Sequence, residues 1–450
     1  MKITFLGATR QVTGSMFQLT TEEGYSILID CGSDFSDPQY SYSPAFPIDP
    51  STVNVVLLTH AHIDHSGYIP AFIRAGFKGQ VLTTAPTAAL AELLFEDNAS
   101  IFRSRTKIKI DPAEEAAMAA DRMVPIKPNQ PFSIREDINV TFIPVGHLLG
   151  ACSIHIEWVS KGNKKSILFS GDIGRKDYPL LSNPSPMPDA DYIVLETTYG
   201  NRLHSGDDSS VEFIERIVKE TCVDQPGRLI IPSFSLGRTQ SLLYTLQQLS
   251  LQHRLPKIKV FADSTLAAAG TRVYERFVSW LNPQARALAS SGHSLFDFDQ
   301  LIPIRTYKDS KLISNYNEPC IILSSSGMIS GGKVQHHIRQ NIQNPYCTIL
   351  LVGYSVAGTI GNDLLTGKKV IQFKRKKIPV DARIVYTDIY SGHADQKGLL
   401  DYIEQFPKRS NRKVFLVHGE WQSMQDFAAI LNTTNSLDVH MPEKGNTYEL

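Results

Sequence analysis

Cysteine is scarce in this chain. Cys31, Cys152, Cys222, Cys320 and Cys347 are five in 450 residues, odd in number, scattered and never spaced as CxxC. That excludes a disulfide framework and a cysteine-ligated zinc knuckle, and it fits reduced thiols in a cytoplasm. Long apolar runs are missing too. None approaches the ~20 residues of a membrane span, and the start, Met1 to Gly7, turns polar too soon for a secretory signal. No membrane association is expected. Net charge is also absent, with Lys+Arg 45 against Asp+Glu 45. This removes the simplest sign of a nucleic-acid binder, a strongly basic chain. Internal repeats and low-complexity tracts are lacking as well. What remains is 42% hydrophobic and 20% charged, an ordinary globular composition with length for two or three domains.

The first 200 residues read as short strands with interspersed helices. Val53–Leu58 is continuously apolar, the mark of a strand buried on both faces. A helix is expected from Gly67 to Ala75, and Pro86 opens a longer one through about Arg103. Strands are expected at Tyr25–Ile29, Val140–Pro144, Ser153–Val159, Ser166–Ser170 and Tyr192–Leu195. From about Leu203 strands alternate with helices, which indicates a parallel sheet flanked by helices. After about Asp381 the early style returns, beginning with strand Arg383–Asp388. The expected division is residues 1–202 as the first part of one domain, 203–380 as an inserted domain, and 381–450 as completion of the first.

The strongest feature directly follows the apolar strand: Thr59-His60-Ala61-His62-Ile63-Asp64-His65-Ser66-Gly67. A loop at a strand's carboxyl end can turn these three imidazoles and one carboxylate toward a point. His and Asp together suit a divalent ion such as zinc, manganese or iron, and the lack of nearby cysteine argues for a hydrolytic rather than a closed structural site. Accident is a poor explanation, because the whole chain has 13 histidines. Further candidates stand where later strands end, each beside glycine: His147 in Gly146-His147, Asp172 in Gly171-Asp172, Asp30 before Cys31-Gly32, and His418 in His418-Gly419. Singly, each is an ordinary turn residue. Together they point to a shared site.

His60-x-His62-x-Asp64-His65, followed by separate His147, Asp172 and His418 motifs, resembles the metallo-β-lactamase superfamily. The resemblance implies an α/β fold, a four-layered αβ/βα sandwich with a two-metal centre at the sheet edges. By motif, His60, His62 and His147 would hold the first metal, and Asp64, His65 and His418 the second. Asp172 would bridge the two ions, and Asp30 would orient ligands from behind. The cofactors implied are two divalent ions, zinc before manganese. The interval from Asp172 to His418 is the size of a domain, so a unit is inserted between two ligands of one site. An inserted cap and a cleft between two lobes are expected.

Three further motifs resemble the β-CASP nuclease branch of that superfamily: Leu195-Glu196-Thr197-Thr198, Ser391-Gly392-His393-Ala394-Asp395, and His418-Gly419-Glu420. The resemblance makes Asp64, Glu196 and His393 the catalytic candidates, with His393 as a general acid positioned by Glu196. Pro232 to Gln240 resembles the strand–turn–helix opening of the inserted domain, and Ser324 to Gly332 is a loop of small donors. Arg238, Ser326, Gly327 and Ser391 are the candidates for binding substrate phosphate. Histidine at the last motif points to RNA rather than DNA, again by resemblance. Basic stretches at Arg103, Arg105, Lys107 and Lys109, and at Lys368, Lys369, Lys374, Arg375, Lys376 and Lys377, read equally well as phosphate tracks or solvated faces.

The expected function is a metal-dependent ribonuclease that hydrolyses phosphodiesters through a two-metal-activated hydroxide. Internal cutting, 5′-exonucleolytic cutting or both remain open, as do the natural RNA and a homodimeric state. The chain begins at its first strand and ends soon after His418, so the added modules of larger relatives such as ribonuclease J are not expected. The alternatives are a hydrolase of a small thioester or lactam, and a non-catalytic RNA-binding subunit.

Overall fold

The computed structural model describes residues 1–34, 44–105, 109, 111–204, 209–353, 355–374, 376–407, 412–434 and 437–450. The side chain of Arg105, and all of Lys107 and Arg375, lie outside the described residues. No helix among the described residues is long and apolar enough to cross a membrane. The chain divides into two compact units. One comprises Met1–Lys176, Ser182–Leu203 and His393–Leu450, and the other Asp177–Leu181 and His204–Gly392.

The first unit contains two seven-stranded sheets. In the first sheet the order is Thr447–Glu449, Lys2–Phe5, Phe17–Thr20, Ser26–Ile29, Val55–Leu57, Gln80–Thr83, Met123–Pro125. In the second it is Asp438–His440, Lys413–Val417, Tyr192–Glu196, Asn163–Phe169, Cys152–Ser160, Ile138–Pro144, Phe132–Arg135. One apolar core lies between them, with Ile3, Phe5, Ile27, Ile29 and Leu57 from the first sheet and Phe142, Ile154, Ile167, Phe169 and Phe415 from the second. Phe5 meets Phe415 with ring centroids 5.1 Å apart, and Phe17 stacks on Phe169 at 6.0 Å.

Strand direction explains where the candidate ligands fall. Ser26–Ile29, Val55–Leu57 and Gln80–Thr83 are parallel neighbours, so Asp30 and the His60 loop leave the first sheet at one edge. In the second sheet Asn163–Phe169, Tyr192–Glu196 and Lys413–Val417 are parallel. Ile138–Pro144 runs the same way, being antiparallel to Cys152–Ser160, which is itself antiparallel to Asn163–Phe169. The loops carrying His147, Asp172, Glu196 and His418 therefore leave the second sheet at one edge. This is the expected α/β sandwich.

The helix expected over 67–75 is Ile69–Arg74, with Pro70 in its first turn, and a separate short turn Ile63–Ser66 precedes it. Proline has no N–H to donate and a pre-set φ, so a helix starts readily there. The break leaves Asp64 and His65 on their own turn.

The second unit is built on a six-stranded parallel sheet of order Leu301–Pro303, Lys259–Asp263, Cys320–Ser324, Arg228–Pro232, Cys347–Val352, Arg383–Thr387. Its central strands are buried on both faces, and Ile230, Ile322, Ile349, Leu351 and Ile371 pack in one core. Two boundaries differ from the sequence reading. Arg383–Thr387 pairs with Cys347–Val352, and Ile384 and Tyr386 pack on the second core, so residues 381–392 do not complete the first domain. Asp177–Leu181 also belongs to this unit, because Leu180 is fully buried and its carbonyl accepts the Asn282 N–H at 3.0 Å. A strand's apolar pattern marks its burial but not its partner, so the sequence does not tell which unit Arg383–Thr387 joins.

Candidate metal centre

All seven residues proposed as ligands converge in the first unit. His60, His62, His147 and Asp172 form one group whose donor atoms lie within 4.8 Å of one another, and Asp64, His65 and His418 form a second. Asp172 belongs to both neighbourhoods. Its Oδ2 is 3.4 Å from His60 Nε2 and 3.5 Å from His147 Nε2, while its Oδ1 is 3.2 Å from His65 Nε2. His62 Nδ1 lies 3.1 Å from both His60 Nε2 and His147 Nε2. His418 Nε2 is 3.3 Å from His65 Nε2 and 3.6 Å from Asp64 Oδ2.

The tautomers decide which of these ring nitrogens donates, and His62 Nδ1, with one lone pair or one N–H, can serve only one of its two imidazole neighbours at a time. Asp172 Oδ1 is buried and accepts no hydrogen bond among the described residues, and an orphaned buried carboxylate oxygen is costly. Imidazole nitrogens and carboxylate oxygens are the donors that divalent zinc or manganese takes. The residues present fit such an ion in each group.

The supporting groups are hydrogen-bonded in turn. Asp30 accepts from the Thr59 N–H at 2.8 Å and from the Thr59 hydroxyl at 2.9 Å, and His65 Nδ1 stands 2.7 Å from its Oδ2. A carboxylate on Nδ1 fixes the ring and directs Nε2 toward the ligand side. Asp30 has φ 58° and His418 φ 47°, left-handed conformations that Asp and Asn tolerate better than most residues. Gly32 is required by contact: a Cβ there would sit 1.6 Å from the Asp64 carbonyl oxygen.

Electrostatics follow from burial and charge. Burial, helped by the His65 charge, holds the His60 imidazole well below its ordinary value, and burial brings His62 down to about 4. Burial alone would raise Asp64, but the His418 hydrogen bond and the charges of His65 and His418 bring it to about 2. Asp172 is likewise held well below the usual range, the charges of His418, His65 and His60 overcoming burial. The site keeps Asp64 and Asp172 ionised and His60 and His62 neutral, the forms a cation binds. Burial would lower His65, but the Asp172 and Asp30 charges overcome it and raise the imidazole well above its ordinary value.

Glu196 and His393 occupy the next position. His393 Nδ1 is 3.2 and 3.1 Å from the two Glu196 oxygens, and its Nε2 lies 3.9 Å from Asp172 Oδ2. The Ile173 N–H donates to Glu196 Oε1 at 2.6 Å, which holds the carboxylate in place. Burial would lower His393, but the Glu196 and Asp172 charges overcome it and push the imidazole up to about 9. Its ring is partly exposed while Glu196 is buried.

The four candidates for phosphate lie in the second unit. The Arg238 Nε donates to the Tyr390 carbonyl at 3.1 Å, next to Ser391, and its guanidinium lies 4.9 Å from the Phe234 ring centroid. A Cβ on Gly327 would meet that same ring at 3.2 Å, so Phe234 stands between Arg238 and the serine loop. The Ser326 and Ser330 hydroxyls are 3.2 Å apart, and Ser391 is buried with its N–H on the Asp388 carbonyl. Arg238 is thus partly a structural residue.

Sequence reasoning missed the supporting hydroxyls. The Thr198 hydroxyl meets His418 Nδ1 at 3.1 Å, and Ser15 Oγ lies 3.3 Å from His65 Nε2. Thr59 and Thr198 adjoin recognised motifs and were findable; Ser15 carries no such signal. Asp263 was missed too. It is fully buried at a strand end, 2.8 Å from Lys333 Nζ and 2.7 Å from His337 Nε2.

Three family descriptions match the chain: a Beta-lactamase superfamily domain over residues 25–223, a Beta-Casp domain over 239–364, and a Zn-dependent metallo-hydrolase RNA specificity domain over 377–442. Ribonuclease TTHA0252 of Thermus thermophilus is 30% identical over 435 residues, 96% of each chain. The chain belongs to the β-CASP branch of the metallo-β-lactamase superfamily. An RNase J-like protein of Methanocaldococcus jannaschii, another relative of this β-CASP chain, is 30% identical and covered at 98% on both sides. Transcription termination factor FttA of Methanosarcina mazei is 29% identical, covering 95% of this chain and 68% of its own. The matched Beta-lactamase segment contains six of the seven candidate ligands, and the RNA specificity segment contains His418 and His393.

Proposed function

We propose that this β-CASP protein is a metal-dependent ribonuclease that hydrolyses RNA phosphodiester bonds. The observation that carries the reading is the position of Asp172, with one oxygen beside His60 and His147 and the other beside His65. That arrangement supports two ions, held by His60, His62 and His147 and by Asp64, His65 and His418, with Asp172 shared. Zinc is the first choice and manganese the second. When bound, two such ions make water acidic enough to attack at neutral pH and offset charge on the reacting phosphate oxygens.

The chain's own groups supply the rest. Glu196 orients His393 through Nδ1 and leaves Nε2 turned toward the Asp172 side, where it holds a proton for the departing oxygen. Asp64 and Asp172 remain ionised and acceptor-only. Asp30 keeps the His65 ring oriented. Arg238, Ser326, Gly327 and Ser391 would bind backbone phosphate, a role that rests on their residue types, a guanidinium with small hydroxyl and backbone donors. The names of the relatives support RNA as the substrate.

The test incubates zinc- or manganese-loaded protein with end-labelled RNA and, separately, with a chromogenic thioester. RNA cleavage that disappears in His393→Ala is expected. Thioester turnover without RNA cleavage would overturn the reading. RNAs with 5′-phosphate and 5′-hydroxyl ends, compared for product length, would separate internal from 5′-exonucleolytic cutting.

A further inference from the structure

The second unit carries a two-stranded hairpin beside its main sheet, Val370–Phe373 paired antiparallel with Lys376–Pro379. Its inner face is apolar: Ile371 and Phe373 are buried in the core, and Ile378 packs against it. That packing fixes the hairpin as a rigid element. The other face is exposed, with Val370, Gln372 and Lys377 pointing out, and Lys369, Lys374 and Lys376 are exposed around it. Residues 369–380 contain no Asp or Glu.

Lys2, Lys176, Lys219, Lys333, Lys368 and Lys397 each pair with a carboxylate. Lys369, Lys374, Lys376 and Lys377 have no ion pair among the described residues. Most described lysines outside this hairpin, such as Lys78, Lys127, Lys257 and Lys413, also lack an ion pair, so what sets these four apart is their grouping. A protein of zero formal charge therefore holds a local excess of positive charge on a rigid hairpin. Lysine also protects sheet edges from aggregation. One or two exposed lysines suffice for that, whereas four uncompensated ammonium groups on twelve residues without an acid fit a polyanion.

We propose that this hairpin is an accessory RNA-backbone contact, at which Lys369, Lys374, Lys376 and Lys377 bind phosphates of the substrate strand without reading its bases. The proposal rests on the ribonuclease reading above. Lysine ammonium groups are point charges with no planar fork, so they suit sequence-independent contact. Each phosphate neutralised on a single strand releases counterions and adds about 0.7 to the slope of log affinity against log salt.

The test uses metal-loaded His393→Ala protein, so that RNA is bound but not cut, and compares it with the same protein carrying Lys→Gln at positions 369, 374, 376 and 377. Affinity for a single-stranded RNA is measured by anisotropy across a salt series. The slope is expected to fall by up to about 3, so that a fourfold rise in salt weakens the lysine protein about 50-fold more than the glutamine one. Lys→Arg at the four positions should keep the slope. In the His393 background restored to wild type, kcat should be unchanged and KM raised. An unchanged salt slope overturns the proposal, as does a lowered affinity with the slope intact, which marks a folding effect. Loss of binding to anionic phospholipid vesicles with unaltered RNA binding would also overturn it, in favour of a membrane surface. Wild-type protein that neither binds nor cuts RNA refutes the ribonuclease reading instead.

Discussion

Glu196 meets the Nδ1 side of His393 with both carboxylate oxygens, at 3.2 and 3.1 Å, and is itself fixed by the Ile173 N–H. One ring nitrogen is occupied by a buried anion, and the other is left toward the carboxylate of Asp172. His393→Ala should lower single-turnover RNA cleavage by roughly 10²–10⁴-fold, the usual contribution of a positioned acid. Glu196→Gln keeps the shape and loses the charge, so a smaller loss in the same step is expected. RNA affinity should be nearly unchanged in both. Rapid-quench cleavage beside equilibrium binding checks this, and full activity in either variant would remove the pair from the mechanism.

Asp30 touches no candidate ion but holds His65 by its Nδ1 and the Thr59 backbone by its other oxygen. Asp30→Asn suits the same left-handed backbone, so the fold should survive. Metal affinity or activity should drop by about 10–100-fold, as for other groups that orient a ligand. Metal content after gel filtration, read with the thermal midpoint, distinguishes weakened binding from unfolding. Metal retained at wild-type stoichiometry and affinity would contradict the role.

Much of this site was legible in the sequence because its ligands sit where strands end. A buried strand announces itself by a run such as Val53–Leu58, and the residues after it inherit a loop at one sheet edge. His60, His62, Asp64, His65, His147, Asp172 and His418 were all placed in that way, and the structure brings them together. The failures have a common physical origin. Arg383–Thr387 was given to the wrong unit because a strand's pattern records burial and not its neighbour, which here is Cys347–Val352. Ser15 and Asp263 meet their partners across long stretches of chain, His65 for the one and Lys333 and His337 for the other. No local pattern encodes such contacts. Phe234 lies within the segment Pro232 to Gln240, yet its place between Arg238 and Gly327 is visible only in space.

Gly32 is a further point where backbone space decides function. An added Cβ would overlap the Asp64 carbonyl oxygen at 1.6 Å and approach the His65 nitrogen to 2.9 Å. Both atoms are main chain, so the turn Ile63–Ser66 must move as a whole. Gly32→Ala should cost at least ~1–3 kcal/mol, the range for overpacking, and should weaken metal binding through Asp64 and His65. Denaturant midpoints with and without added zinc test this. A variant as stable as wild type that binds metal equally well would show that the turn gives way freely.

Asp263 makes the second unit sensitive to acid. Burial alone would raise its carboxyl, but hydrogen bonds from His337, Lys333 and Ser310 overcome this and hold it below the ordinary value. A depressed folded value means the ionised form is favoured by folding. The resulting stability is complete above the unfolded value of about 3.9 and is lost as pH falls through the folded one. Asp263→Asn leaves Lys333 and His337 facing no anion and should destabilise by about 3–5 kcal/mol near neutrality. The gap between wild type and variant should then narrow as pH drops below about 4, since the wild-type carboxylate is being protonated. Chemical denaturation at a series of acid pH values measures that gap directly. A gap that stays constant down the series would mean that Asp263 stabilises this sheet by shape and not by charge.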